Sequence, residues 1–272
     1  MTPKASFRKQ SGTAAQIYEQ SFVPSVARPA SGQLFELAEL RPGQRVLDLA
    51  CGTGVAARRA AEEVGSTGSV VGVDLSPEML AVARTIPAPD GVEIEWEEAD
   101  AGSLPLPAGS VDVTLCHMGM MFFADKAAAL AEVRRVLVSD GRFALSTPGA
   151  IQAPFELLDR ALVEHINPDL GGFVRAVFSL HDPDVVTSLL GEAGFVDIDG
   201  ITRTIPLQLP RPAEFLWQYI ASTPLGVFVG NAPDDAQAAL EKEIVETWQP
   251  FVDDDGHLAI DQPMVYARGT SR

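Results

Sequence analysis

The sequence predicts an α/β fold, a mostly parallel, Rossmann-like sheet with helices on both faces. Three observations predict it. Between residues 45 and 150, short apolar runs alternate with stretches of helical periodicity, the rhythm of strand–helix–strand units. The runs are rich in Val and Leu without regular polar alternation, as strands buried on both faces are. The first run, RVLDLA (45–50), passes through a glycine turn directly into a helical stretch, GVAARRAAEEV (54–64).

Further strands are read at SVVGVD (69–74), VEIEWEEAD (92–100), SVDVTLC (110–116) and GRFALSTP (141–148). PEMLAVART (77–85) and KAAALAEVRRVLV (126–138) supply helices between them. In the second, the apolar residues Ala128, Leu130, Ala131, Val133, Leu137 and Val138 fall at helical spacing, with Asp125 as N-cap and SDG (139–141) as the stop. Arg134 and Arg135 are assigned to its solvated face.

After residue 150 the rhythm changes. Helices are expected at 153–166, 182–195, 212–222 and 233–252, a Gly-broken apolar stretch at 167–180, a strand at 195–209, and a last strand at 257–270 broken by Pro263. Asp182 caps the second of these helices, with Pro183 in its first turn and Gly194 at its end. The division expected is an N-terminal helical cap segment (1–40), a ligand-binding core (41–150), and the remaining core strands with an inserted helical cap (151–272). Trp217, Tyr219 and Trp248 are read as cap core, and His165 as a surface residue.

The bulk properties narrow the function. Among 272 residues, 46% are apolar and 21% charged, so a large core is expected and disorder is not. The formal charge of -17 repels phosphate backbones, which argues against nucleic acid as a partner. The opening MTPKASFRKQSG lacks the apolar centre of a signal peptide. No apolar run approaches the roughly 20 residues of a membrane span. Two cysteines, Cys51 and Cys116, make no disulfide framework. The expectation is a cytoplasmic protein without a membrane span, compatible with a homodimer.

In an open parallel sheet, ligands bind beyond the carboxyl ends of the strands where the strand order reverses. Gly52 and Gly54 lie in the first strand-to-helix turn, where a missing Cβ lets backbone approach a ligand. A dinucleotide fingerprint would read G-x-G-x-x-G; here Asp48 leads Ala50, Gly52 and Gly54, and Ala57 stands three residues further on. Two like charges at ~4 Å and an effective dielectric near 20 repel by about 4 kcal/mol, so a carboxylate there disfavours a pyrophosphate and favours an ammonium. Asp74, at the end of the second strand, suits two ribose hydroxyls. Asp100 and the Ala101 amide, after the third strand, suit an adenine edge. An amine, a ribose and an adenine without phosphate describe S-adenosylmethionine.

Four stretches, VLDLACGTGVAA, VVGVDLSPEMLAVAR, EADAGSLPLPAGSVDVTLCHMGMMFFAD and ALAEVRRVLVSDGRFALS, resemble the class I methyltransferases, specifically the ubiquinone/menaquinone-biosynthesis-like branch (methyltransferase type 11). The resemblance covers about residues 30–150. It implies seven strands with an antiparallel last strand and S-adenosylmethionine at the carboxyl edge. It implies that Asp48, Ala50, Cys51, Gly52 and Gly54 surround the methionyl part and Asp74 holds the ribose. Leu75 and Met79 then pack near the adenine, Asp100 and Ala101 hold it, and Cys116 and His117 line the site after the fourth strand. Ala50 stands where many relatives have glycine. Tyr18 matches a tyrosine that relatives place over the cofactor. His117 is the candidate catalytic residue, for positioning ahead of base catalysis, and no metal is expected. The function implied is methyl transfer to O, N or C of a small, largely apolar acceptor. Three alternatives are an S-adenosylmethionine-binding scaffold or cyclase, a nicotinamide-dependent oxidoreductase, and methylation of a protein.

Overall fold

A computed structural model describes residues 11–89 and 91–272, so most of the opening stretch weighed as a signal peptide lies outside the described residues. The chain divides into two compact units. A core unit comprises Ala27–Ala150, Phe178–Thr204 and Pro263–Arg272. A helical unit comprises 11–26, Ile151–Val177 and Ile205–Gln262.

Seven strands form one sheet: β1 (Arg45–Leu49), β2 (Ser69–Asp74), β3 (Ile94–Glu98), β4 (Val111–His117), β5 (Leu137–Pro148), β6 (Val196–Leu209) and β7 (Leu258–Thr270). Their order is β3-β2-β1-β4-β5-β7-β6. β1 pairs in parallel with β2 and β4, as do β2 with β3 and β4 with β5, while β7 runs antiparallel to β5. The order reverses between β1 and β4, which places the ligand crevice of such a sheet at their carboxyl ends. Val113, Leu115 and Cys116 are wholly buried in β4, as central strands of a covered sheet require.

The helix Val55–Val64 buries Ala56, Ala57, Ala60, Ala61 and Val64; this small-residue face lets its backbone lie close to the sheet. Asp125 caps the helix Lys126–Val136, accepting from the Ala128 amide at 2.9 Å. That helix ends two residues earlier than its periodicity suggests, because Leu137 already pairs with Val111 as the start of β5.

Three expectations are corrected. Residues 27–40 belong to the core unit, not the cap: Leu34 and Ala38 are fully buried, and Arg142 of β5 donates to the Ala38 and Glu39 carbonyls at 3.0 and 2.8 Å. A cation at the open C-terminal carbonyls of the helix Gly32–Ala38 is favourable on both charge and hydrogen-bonding grounds. Arg134 and Arg135 are not a solvated face. Arg135 donates to the Leu104 and Leu106 carbonyls and pairs with Glu132, tying down the loop after β3. Arg134 donates to the Ala193 and Arg272 carbonyls. Finally, β7 runs unbroken through Pro263, whose carbonyl accepts from the Gly149 amide at 2.7 Å; proline removes a donor but leaves an acceptor.

The helical unit packs Phe155, Phe215, Tyr219 and Trp248 as an aromatic cluster with centroids 5.9–6.5 Å apart. Trp217, Tyr219 and Trp248 are buried there as core. Trp248 donates to the Pro154 carbonyl. His165 is half-buried, bound to Glu243 at 2.5 Å. Residues Tyr18–Ala27 form a π-helical segment with Pro24 inside it. Among the described residues, no helix is long and apolar enough to cross a membrane.

Candidate cofactor site

The turn after β1 holds three residues in left-handed conformation: Ala50 (φ 55°), Gly52 (φ 56°) and Gly54 (φ 86°). For alanine this conformation is strained. Its methyl nevertheless has room, because a Cβ at Gly119 would fall 2.5 Å from it. The Cys51 amide donates to the Val73 carbonyl at 3.0 Å, so the turn is pinned to β2.

Asp74 pins it as well. One of its oxygens accepts from the Gly52 amide at 2.7 Å and the other from the Ser76 amide at 2.9 Å. Each oxygen keeps a second lone pair for a ligand donor. Leu75, next in the chain, is 66% exposed. Met79 is half-buried, its amide donating to Ser76 Oγ in the cap of the helix Pro77–Ala83. Asp100 is exposed beyond β3, accepting from the Gly102 amide at 2.7 Å, with Ala101 half-buried between them.

Asp48 differs from both. It lies within β1, opposite Gly72 and Leu115, and is wholly buried. Neither oxygen makes a hydrogen bond of normal geometry among the described residues. Burial, reinforced by the Asp74 charge, raises its pKa to about 7, against the opposing pull of the Ala57 amide and Arg58. A buried acid without a partner is poised to gain from a cation.

Cys51 and Cys116 are free and buried. Burial raises both thiols, Cys116 to about 12, so they stay protonated and fill space. The His117 Nε2–H donates to the Ala27 carbonyl at 2.8 Å, and Nδ1 accepts from Ser146 Oγ at 2.7 Å. A carbonyl only accepts, which assigns the proton to Nε2. Burial lowers the His117 pKa to about 4, so the ring is neutral near pH 7 and both nitrogens are engaged inside the fold. Tyr18 lies in the helical unit, its ring stacked on Phe22 at 5.0 Å.

Sequence reasoning missed Trp96. A Cβ on Gly54 would fall 2.2 Å from its indole, and one on Gly72 would fall 2.5 Å from it. These glycines therefore make room for a tryptophan of the protein itself, and Gly54 also takes the left-handed backbone the turn needs. The signal was present: Gly72 is a glycine inside a strand, which marks close approach of another group, and Trp96 is its partner in register. Ser146 and Gly119 were missed for the same reason, each acting through a partner distant in the chain.

A switch point bearing carboxylates and no third glycine defines a Rossmann-like enzyme of the nucleoside-binding kind. The model of the methyltransferase domain family matches residues 46–141. Nocamycin O-methyltransferase of Saccharothrix syringae is 30% identical over 95% of this chain and 96% of its own length. Demethylmenaquinone methyltransferase of Thermus thermophilus is 34% identical over 59% of this chain and 78% of its own. The solved YcgJ protein from Bacillus subtilis superposes with a TM-score of 0.58 at 22% identity, over 90% of this chain and 99% of its own. The chain belongs to the class I S-adenosylmethionine-dependent methyltransferases, and S-adenosylmethionine is its cofactor.

Proposed function

We propose that the methyl group goes to O, N or C of a small, largely apolar molecule by in-line displacement, and that the β1–β3 carboxylates hold the cofactor. The observation that carries this reading is Asp48, a wholly buried acid whose oxygens make no hydrogen bond of normal geometry among the described residues, beneath a turn whose Gly52 amide is held by Asp74. Bound S-adenosylmethionine supplies an electrophilic methyl on a sulfonium. Asp48 supplies negative charge under the turn that receives the methionyl ammonium, with Ala50, Cys51, Gly52 and Gly54 forming its wall. Asp74 accepts from the ribose hydroxyls with its remaining lone pairs. Leu75 and Met79 cover the adenine, and Asp100 accepts from its amine while the Ala101 amide donates to the ring.

His117 and Cys116 hold the end of β4 without moving a proton, since the ring has no free lone pair and the thiol is far from ionising. Transfer then depends on alignment of the acceptor, a positioning task. The helical unit, with its buried aromatic residues, is the part to which we assign the choice of acceptor. Relatives named for nocamycin, demethylmenaquinone and aklanonic acid support a small-molecule acceptor. The charge of -17 supports action without nucleic acid and is compatible with a cytoplasmic location. A homodimer is compatible with the sequence, and light scattering reads it directly.

The test is calorimetry of S-adenosylmethionine binding. Asp74→Ala is expected to weaken it by tenfold or more, on the order of 1–3 kcal/mol for charge-assisted hydrogen bonds. Unchanged affinity overturns the ribose assignment.

A further inference from the structure

Two helices of the helical unit, Ala153–His165 and Asp234–Thr247, pack against one another. Leu158, Ala161 and Leu162 of the first and Leu240 and Ile244 of the second are fully buried. The Trp248 indole, just past the second helix, donates to the Pro154 carbonyl and fastens the pair. From this fixed backbone Glu164, His165 and Glu243 converge. His165 Nε2 meets Glu243 Oε2 at 2.5 Å, and Glu164 brings a third ligand atom, all three within 4.8 Å of one another. His165 and Glu243 lie 78 positions apart in the chain, so no local motif announces the group.

The charges there favour a cation. Two carboxylates share one imidazole, and among the described residues no lysine or arginine forms an ion pair with Glu164 or Glu243. Lys242, next to Glu243 in the chain, is engaged by Glu246 instead, at 3.9 Å. The group also stands at the carboxyl end of the helix Ala153–His165, where open carbonyls form the negative end of the helix dipole. A His–Glu ion pair accounts for two of these side chains but not for the approach of the third.

The donor set selects the ion. One imidazole nitrogen with two carboxylate oxygens suits zinc and its neighbours, whereas magnesium and calcium prefer oxygen alone. Zinc holds such ligands at about 2.0–2.2 Å, so neighbouring ligand atoms stand about 3.4 Å apart in a tetrahedron. Reaching that spacing requires the Glu243 carboxylate to withdraw by about 1 Å from His165, a side-chain adjustment open to a half-buried group. Glu164 is exposed and gives the ion its path from solvent. Three protein ligands leave a fourth position for water.

We propose that Glu164, His165 and Glu243 bind a divalent transition-metal ion of the zinc class, which clasps the two helices together. This site shares no residue with the cofactor site and is assigned on its own geometry.

The experiment is calorimetry on the full chain, stripped of metal with a chelator, with zinc and magnesium as probes. One saturable zinc site per chain is expected, with magnesium at least a hundredfold weaker. His165→Ala and Glu243→Gln should each weaken zinc by tenfold or more, and Glu164→Gln should weaken it as well. His257→Ala, whose imidazole belongs to the loop beside Asp253, should bind zinc like the wild type. Zinc should raise the melting temperature of the wild type and not that of His165→Ala. No saturable zinc binding, equal affinity for magnesium, undiminished binding in His165→Ala and Glu243→Gln, or loss of binding in His257→Ala overturns the proposal. Should His165→Ala not fold, as its melting in chelator will show, the exposed Glu164→Gln and the His257→Ala control decide.

Discussion

Ala50 and Gly119 are a matched pair: the methyl group of Ala50 occupies the place where a side chain at residue 119 would stand, 2.5 Å from a Cβ built there. Gly119 itself has φ -113°, open to any residue, so its need for glycine is steric. Gly119→Ala should therefore destabilise the protein by about 1–3 kcal/mol through overpacking. Ala50→Gly should suppress most of that loss, since it removes both the methyl and a strained left-handed alanine. Denaturant unfolding of the two single variants and the double variant measures the coupling. Additive effects would show that the two positions do not meet.

Asp48 makes stability depend on pH in an unusual direction for an acid. Its folded pKa of about 7 lies above the ordinary aspartate value of 3.8. The folded state thus holds a proton that the unfolded state has released, and stability falls as pH rises through this window. The loss is on the order of 4 kcal/mol, complete above pH 7. Asp48→Asn in the cofactor-free protein should be more stable than wild type at pH 8 and nearly equal to it at pH 4. S-adenosylmethionine should bind the variant less tightly. A constant stability difference between pH 4 and 8 would contradict the burial of an unpaired carboxyl.

His117 tilts stability the other way at lower pH. Its pKa of about 4 is below the ordinary histidine value of 6.5, so the unfolded state takes up a proton first as pH falls. Stability should drop by roughly 3 kcal/mol between pH 6.5 and 4 on this account, and His117→Gln should flatten that limb. Nitrogen NMR should show the Nε2–H tautomer persisting at pH 6. A ring protonated at that pH would mean that its bonds to Ala27 and Ser146 do not hold it neutral.

Gly72 and Trp96 give a steric test free of backbone strain. Gly72→Ala would set a methyl 2.5 Å from the indole and 3.1 Å from the Cys51 sulfur. It should destabilise the protein by about 1–3 kcal/mol and weaken cofactor binding through the displaced turn. Trp96→Leu in the same chain should recover much of both effects, read by melting and calorimetry together. A Gly72→Ala protein as stable as wild type would place the indole elsewhere.

Some of this was legible in the chain because it is local. The strands β1, β2, β4 and β5 show as apolar runs, Asp125 and Asp182 as caps, and Asp48, Asp74 and Asp100 as acids at strand ends. Periodicity, capping and turn chemistry act over a few residues, so a short window contains their cause. The pairing of Trp96 with Gly72, of Ala50 with Gly119 and of His117 with Ser146 joins residues far apart in the chain. The same holds for the engagement of Arg134 and Arg135, whose carbonyl partners lie in other segments. The sequence by itself determined the α/β alternation and the acids at the strand ends; only the tertiary structure decided that Asp48 is wholly buried with no hydrogen bond of normal geometry among the described residues and that His117 has both ring nitrogens engaged. The physical reason is that burial and hydrogen-bond partners belong to segments brought together by folding.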